Sequence, residues 1–168
     1  MQRLPGAYPI FGSVAVGRET AIVGWASSRA GRVVRGRPSR GVSLRTELRD
    51  TVEAAVWVLE FRPVLDTSGP VDSAVPDDIV PEILTVVREA LANVARHAKA
   101  HTVRVPVRAA DGQLAAIVQD DGVDVDPALA RGGLVNLLDR ARDLSGTFEV
   151  RAAEGTGTVL DWRVPLNG

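Results

Sequence analysis

The stretch Arg88-Glu89-Ala90-Leu91-Ala92-Asn93-Val94-Ala95-Arg96-His97-Ala98 decides how the rest of this chain is read. It is the second half of a longer helical period running from Ile79 to about His97, in which Leu84, Val87, Leu91, Val94 and Ala98 recur every three or four residues. Asp77 and Asp78 suit the dipole at its start, and Pro81 falls in the first turn, where a missing N–H is harmless. On such a helix Glu89, Asn93, Arg96 and His97 lie at i, i+4, i+7 and i+8, so they form a polar stripe opposite the apolar one. A solvated face explains a stripe of this kind as readily as a site does, and the flanking segments have to decide between them.

Downstream, the period changes from 3.6 to 2. Val103, Val105 and Val107 alternate with Thr102, Arg104 and Pro106, Asp111-Gly112 makes a turn, and Leu114 to Val118 runs apolar. This predicts a hairpin, with Pro106 pointing to an edge strand or a bulge. A loop rich in Asp and Gly follows from Asp120 to Gly133. Leu134, Leu137, Leu138, Ala141 and Leu144 then mark a helix, with Gly146 in the position of a left-handed cap. A last hairpin runs from Phe148 to Ala152 and from Thr158 to Val164 around Gly155-Thr156-Gly157. Upstream, Ser43 caps a helix with Glu47 in its first turns and Leu44, Leu48, Val52, Ala55 and Leu59 on one face. The segment Phe61 to Pro76, with Pro63, Gly69, Pro70 and Pro76, reads as a short strand or an extended connector. The order predicts an α/β chain with a helix layer on a largely antiparallel sheet.

Residues 1–42 have no sustained period and carry a basic, Gly-rich run, Arg29, Gly31, Arg32, Arg35, Gly36, Arg37, Arg40 and Gly41. They read as a poorly ordered arm, either a solvated leader or a docking segment for an acidic partner, ahead of one domain at 43–168. A chain of 168 residues, 45% hydrophobic and 24% charged, has enough apolar surface to bury a core. With no cysteine there is no thiolate nucleophile and no zinc finger. A net charge of −1 gives no general pull toward nucleic acid or membrane surfaces. The only lysine, Lys99, sits between Ala98 and Ala100, which excludes a P-loop, and no serine stands in a Gly-x-Ser-x-Gly elbow. The longest semi-apolar stretch, Ala7 to Ser27, is interrupted by Arg18 and Glu19, a poor signal peptide or span. The chain reads as cytoplasmic, without membrane insertion.

The polar stripe therefore does not stand alone. Asp120-Asp121-Gly122 ends an apolar strand, Gly132-Gly133 opens a helix whose free N–H groups suit phosphate oxygens, and Gly155 and Gly157 close the last hairpin. An Asn for a hydrated cation, an Asp at a strand end for a base edge and glycines at a helix start compose a nucleotide site.

In this order and spacing the segments resemble the ATP-binding domain of bacterial sensor histidine kinases of the GHKL superfamily, in particular the actinobacterial redox- and oxygen-sensing branch paired with LuxR-type regulators. The resemblance covers roughly Ser43 to Leu166. Residues 88–98 correspond to the N-box, Asp120-Asp121-Gly122-Val123-Asp124 to the first Gly box, Gly132 to Leu137 with Arg140-Ala141 to the second, and Gly155 to Thr158 to the motif that closes the adenine pocket. The resemblance implies a Bergerat-type two-layer α/β sandwich, with helices on one face of a mixed, largely antiparallel sheet. It implies ATP and Mg²⁺ as cofactors, Asn93 as the metal ligand, Asp120 as acceptor of the adenine amino group and Glu89 as the catalytic polarising group. Arg96, His97, Gly122, Asp124, Gly132, Gly133, Leu134, Gly157 and Thr158 complete the implied nucleotide site.

Two positions depart from the family pattern, Asp124 and Arg131, where glycines are usual. A carboxylate roughly 6 Å from a phosphate charge costs about 2–3 kcal/mol at an effective dielectric near 20, which an arginine on the same phosphates offsets. The only histidines, His97 and His101, fall in or just after the N-box rather than on a dimerisation helix. The resemblance therefore implies a catalytic domain that phosphorylates a histidine on a separate protein carrying the dimerisation helices, and through it a response regulator. The alternatives are a non-catalytic module of the same fold that regulates a kinase or regulator, and an anti-sigma-type serine kinase.

Overall fold

The computed structural model describes residues 41–123 and 131–166. The expected arm, residues 1–42, lies outside this range except for Gly41 and Val42. Helix α1 is Leu44–Leu59. The Ser43 hydroxyl accepts from the Thr46 N–H at 3.3 Å, which settles one of the donors a helix start leaves free. Its apolar face, Leu44, Leu48, Val52, Ala55 and Leu59, is buried. Leu48 is fully enclosed, so Leu48→Ala costs about 2–5 kcal/mol.

The Pro- and Gly-rich connector resolves into strand β1, Val64–Ser68, and a single-turn helix α2, Val71–Ala74. Arg45 ties all three together. Its guanidinium donates to the Thr67 hydroxyl and the Gly69 carbonyl, each at 2.6 Å, and pairs with Asp72 at 3.1 Å. Helix α3, Val80–Asn93, has Pro81 in its first turn as expected. The helix does not simply run on to His97. At Val94–Ala98 it widens into a π turn, and Lys99 leaves it in a left-handed conformation at φ 50.

Strands β2, Val103–Ala110, and β3, Gln113–Asp120, form the expected hairpin. Helix α4, Arg131–Asp143, precedes β4, Thr147–Ala152, and β5, Thr158–Pro165. The sheet order is β1-β2-β3-β5-β4. β1 pairs parallel with β2 and the other pairings are antiparallel, so the sheet is mixed and largely antiparallel.

Two sequence expectations change. Pro106 lies on an interior strand, between β1 and β3, and not on an edge. Nor is there a bulge, because the β2–β3 register is the same before it (Arg104 opposite Gln119) and after it (Val107 opposite Ala116). The strand absorbs the missing donor by a lapse of its pairing with β3 at Val105 and Pro106, which stay paired with β1, rather than by an inserted residue. At the end of α4 the left-handed residue is Ser145, at φ 57, and not Gly146. The Gly146 N–H donates to the Ala141 carbonyl at 2.7 Å and the Ser145 N–H to that of Arg142 at 2.9 Å, the two bonds of a Schellman cap. Gly146 is needed for room instead, because a Cβ there would run into the Arg163 backbone of β5.

Alternate residues of the strands, Val103, Val105, Val107, Leu114, Ala116, Val118, Phe148, Trp162 and Val164, face the helices and form the core with them. The other face carries Arg104, Arg108, Gln113, Glu149 and Arg163 toward solvent. The result is a two-layer sandwich with helices on one face of the sheet. Among the described residues no helix is long and apolar enough to cross a membrane.

Candidate functional site

The expected stripe on α3 does not lie on an open surface. Asn93, the last residue of α3, is only 4% exposed. Glu89 and His97 are half-buried, and only Arg96 is exposed. The reason is α4, whose first turn lies against this part of α3. A Cβ on Gly133 would stand 2.5 Å from Glu89 Oε1 and 3.1 Å from both amide atoms of Asn93. Glycine at this position thus leaves those side chains their space. Arg96 stands 3.8 Å from Glu89, a loose ion pair at the rim.

The Asn93 amide nitrogen is buried without a hydrogen-bond partner. Such an atom costs about 1–3 kcal/mol and is rare in folded proteins, so the residue is held for something other than stability. Among the described residues no group of three or more His, Asp or Glu side chains is placed to hold a metal ion. One amide oxygen beside a helix start suits a cation that keeps most of its other oxygens from phosphates and water, as Mg²⁺ does.

Across a narrow seam stands Asp120, at the end of β3 and 4% exposed. One of its carboxylate oxygens accepts from the Gly122 N–H at 2.9 Å. The seam between Asn93 and Asp120 is lined by Val94, Leu134, Val150, Thr158 and Leu160 and holds about 10 Å³ of free space. That is at most the roughly 10–15 Å³ a single water needs, so a purine enters only if Leu134 and its apolar neighbours part. Leu134 and Thr158 are both buried here.

The glycines of the site are required by close approach. A Cβ on Gly122 would come within 2.9 Å of the Ala98 Cβ, and the next N–H, of Val123, donates to the Ala98 carbonyl at 2.7 Å. Gly157, at φ 100, lies against the Asp120 and Asp121 backbone, with a would-be Cβ 2.9 Å from the Asp121 Cα. The first Gly box thus docks on the π turn on one side and on the last hairpin on the other.

Asp121 does different work from its neighbour. Its Oδ1 accepts from the His101 and Thr102 N–H groups, both at 2.8 Å. These donors favour the ionised carboxylate and hold its pKa below the ordinary aspartate value. Sequence reasoning assigned Asp121 no role and did not anticipate Ala98 as a docking point. The Asp-Asp pair straight after an apolar strand was the available signal for the first, and nothing local marks the second. His101 is exposed at the helix exit. Gly132 lies in the first turn of α4. Asp124 lies outside the described residues, as does the side chain of Arg131.

These elements define a class by architecture. The chain has the α/β sandwich fold of histidine-kinase catalytic domains, as the resemblance led one to expect. It is similar to the histidine kinase domain of a blue-light-activated kinase from Erythrobacter litoralis (TM-score 0.63, 23% identity, 74% of this chain and 62% of that one). It is also similar to the catalytic domain of the histidine kinase ThkA (TM-score 0.60, 15% identity, 74% of this chain and 94% of that one).

In sequence it is similar to the sensor histidine kinase LiaS of Bacillus subtilis, with 35% identity over 98 residues, 56% of this chain and 27% of that protein. The sensor protein VraS of Staphylococcus aureus is 31% identical over 99 residues, 57% of this chain and 28% of that protein. The chain thus spans about a quarter of the length of these relatives. No protein-family model matches it.

Proposed function

We propose that this chain is the ATP-binding catalytic domain of a two-component histidine kinase and acts in the cytoplasm on a histidine carried by a separate protein with dimerisation helices. From that histidine a response regulator takes the phosphoryl group. The observation that carries this reading is the buried Asn93 side chain, its amide nitrogen without a partner, beside the glycine-opened start of α4. It is supported by the sensor-kinase relatives and by a structural neighbour of the same fold, full-length ShkA, solved in complex with AMPPNP (TM-score 0.56, 18% identity).

The residues present fit the nucleotide and its metal. ATP with Mg²⁺ supplies the phosphoryl group and the charge neutralisation that its transfer needs. Asn93 holds the metal through its amide oxygen. Asp120 accepts the adenine amino group, with its second role, the Gly122 bond, keeping the carboxylate in orientation. Gly132 and Gly133 bring backbone N–H groups to the phosphates at the positive end of α4, and Gly157 and Thr158 close the base side. Glu89, half-buried next to Gly133 and loosely paired with Arg96, polarises the attacking group. Arg96, His97 and Leu134 line the remainder. His97, half-buried on the π turn of the same domain, would lie beside a bound nucleotide, so the acceptor imidazole would come from elsewhere.

The test is calorimetric titration with ATP, with and without Mg²⁺, followed by radiolabelling of the chain alone and with a protein bearing a helix pair with an exposed histidine. Mg²⁺-dependent binding, no acid-labile label on the chain alone and labelling of the partner are expected, with Asn93→Ala abolishing the transfer. Label on the chain itself that disappears in His97→Gln or His101→Gln overturns action in trans. One observation favours a second reading, a non-catalytic module that regulates a kinase or regulator: the closed seam between Asn93 and Asp120. Absence of ATP binding at any Mg²⁺ concentration selects it.

A further inference from the structure

We propose that Arg140 and Glu82 form a register pin between α4 and α3, making Arg140 a positioning residue for Glu89 and Asn93, two and three helical turns away along α3. Arg140 Nη1 donates to Glu82 Oε2, a half-buried ion pair joining the far ends of the two helices. Gly133 meets Glu89 at the near end. On α4 these contacts are seven residues apart, 133 to 140, and on α3 seven apart in the opposite sense, 89 to 82. Seven residues are about two turns of helix, roughly 10.5 Å. The two helices are therefore antiparallel and in step over this length, with the buried Val86 and Leu137 in the turns between.

Apolar packing of that kind sets how close two helices lie but opposes sliding weakly, whereas a charge-assisted hydrogen bond from one guanidinium nitrogen to one carboxylate oxygen is directional. Both ends are favourably placed, since Glu82 is in the first turn of α3 and Arg140 in the last turns of α4. Pro81 presets the backbone from which Glu82 projects. The need for a pin follows from Gly133. A slip of one residue, about 1.5 Å along the axis of α4 with a turn of about 100°, brings Leu134 to the place of Gly133. There even a single Cβ would crowd Glu89 Oε1 and the Asn93 amide. An error in register is thus felt directly as displacement of those two side chains.

The affinity arm of the test rests on the proposed ATP binding, and the spectroscopic arm does not. Arg140→Met, Glu82→Gln, the double variant and Arg140→Lys are compared in the full chain, with Glu53→Gln, which breaks the exposed Arg62–Glu53 pair, as control. Three quantities are measured: urea stability, affinity for ATP with Mg²⁺, and the NMR signals of the Asn93 side-chain amide. Arg140→Met and Glu82→Gln are each expected to shift the Asn93 signals and to weaken ATP about tenfold, the double variant no more than the worse single one, since one coupling is lost in all three. Arg140→Lys keeps most of the affinity, and Glu53→Gln changes neither site readout. Unshifted Asn93 signals in folded Arg140→Met, or single losses that add in the double variant, overturn the pin. If the unsubstituted chain binds no ATP, the functional proposal falls and the Asn93 signals alone decide the pin.

Discussion

Asp120 and Asp121 show how far two adjacent identical side chains diverge once each has its own donors. Asp120 is buried on the seam and accepts from Gly122. Asp120→Asn keeps an oxygen for that bond but gives up the charge, so the fold survives. On the proposed reading ATP then weakens by about 1.5–3 kcal/mol, the worth of a charge-assisted bond, measurable by titration. GTP binding as well as ATP would sink the assignment. Asp121 is exposed and serves the fold. Its pKa is lowered in the folded state by the His101 and Thr102 N–H groups, so its contribution is fully present above the unfolded value of about 3.9 and is lost as the pH falls through the lower folded value. Asp121→Asn should remove this part of the acid limb, lowering stability near neutral pH while flattening its fall below pH 4. Urea titrations between about pH 2.5 and 7 would read both, and parallel curves for the two proteins would contradict it.

Among the elements, the end of α4 gives the sharpest test. Ser145 sits at φ 57 where a Cβ is strained, so Ser145→Gly should raise stability by up to about 1 kcal/mol. Gly146→Ala should lower it by more, because the obstacle is the β5 backbone at Arg163. Thermal unfolding of both variants distinguishes the two glycine requirements, and equal effects would show that the cap has been misassigned. This end of the helix also marks where sequence reading stops. That a glycine is needed near residue 146 was legible, and which residue turns left-handed was not, because the close approach is made by a strand that comes later in the chain. Ser43 and Asp111-Gly112 were legible because a cap and a tight turn are settled within a few residues. The burial of Asn93 was not, since helical spacing puts it on a polar stripe and only the arrival of α4 covers it. The π turn has no local signature at all.

At the scale of the whole molecule, the sheet combines two local hairpins with two long-range pairings, β1 parallel on β2 and β3 antiparallel on β5, which no hairpin rule supplies. The class of fold was legible from the order of periods, and the place of Pro106 inside the sheet was not. The proposed site joins α3, β3, α4 and β5, so a ligand bound there ties the layers together. ATP with Mg²⁺ at one hundred times its dissociation constant should stabilise the fold by about 2.7 kcal/mol, seen as a rise in melting temperature. GTP at the same concentration should raise it far less, and equal rises would remove the adenine selectivity.

The π turn at Val94–Ala98 has a consequence for how a gene encoding this domain can change. A wide turn is in effect one residue more than an α-helix needs over the same length. Ala95 and Arg96 are exposed, so exchanging their letters disturbs little packing. Losing one codon there is absorbed as well. Deletion of Ala95 would let the helix close to the ordinary pitch over the same length, with Ala98 and Lys99 keeping their places. The Ala98 carbonyl would still meet the Val123 N–H. Losing a second codon would leave no spare residue and turn everything after it by about 100°. This segment is therefore open to spelling changes and to one frame-preserving deletion, and closed to two.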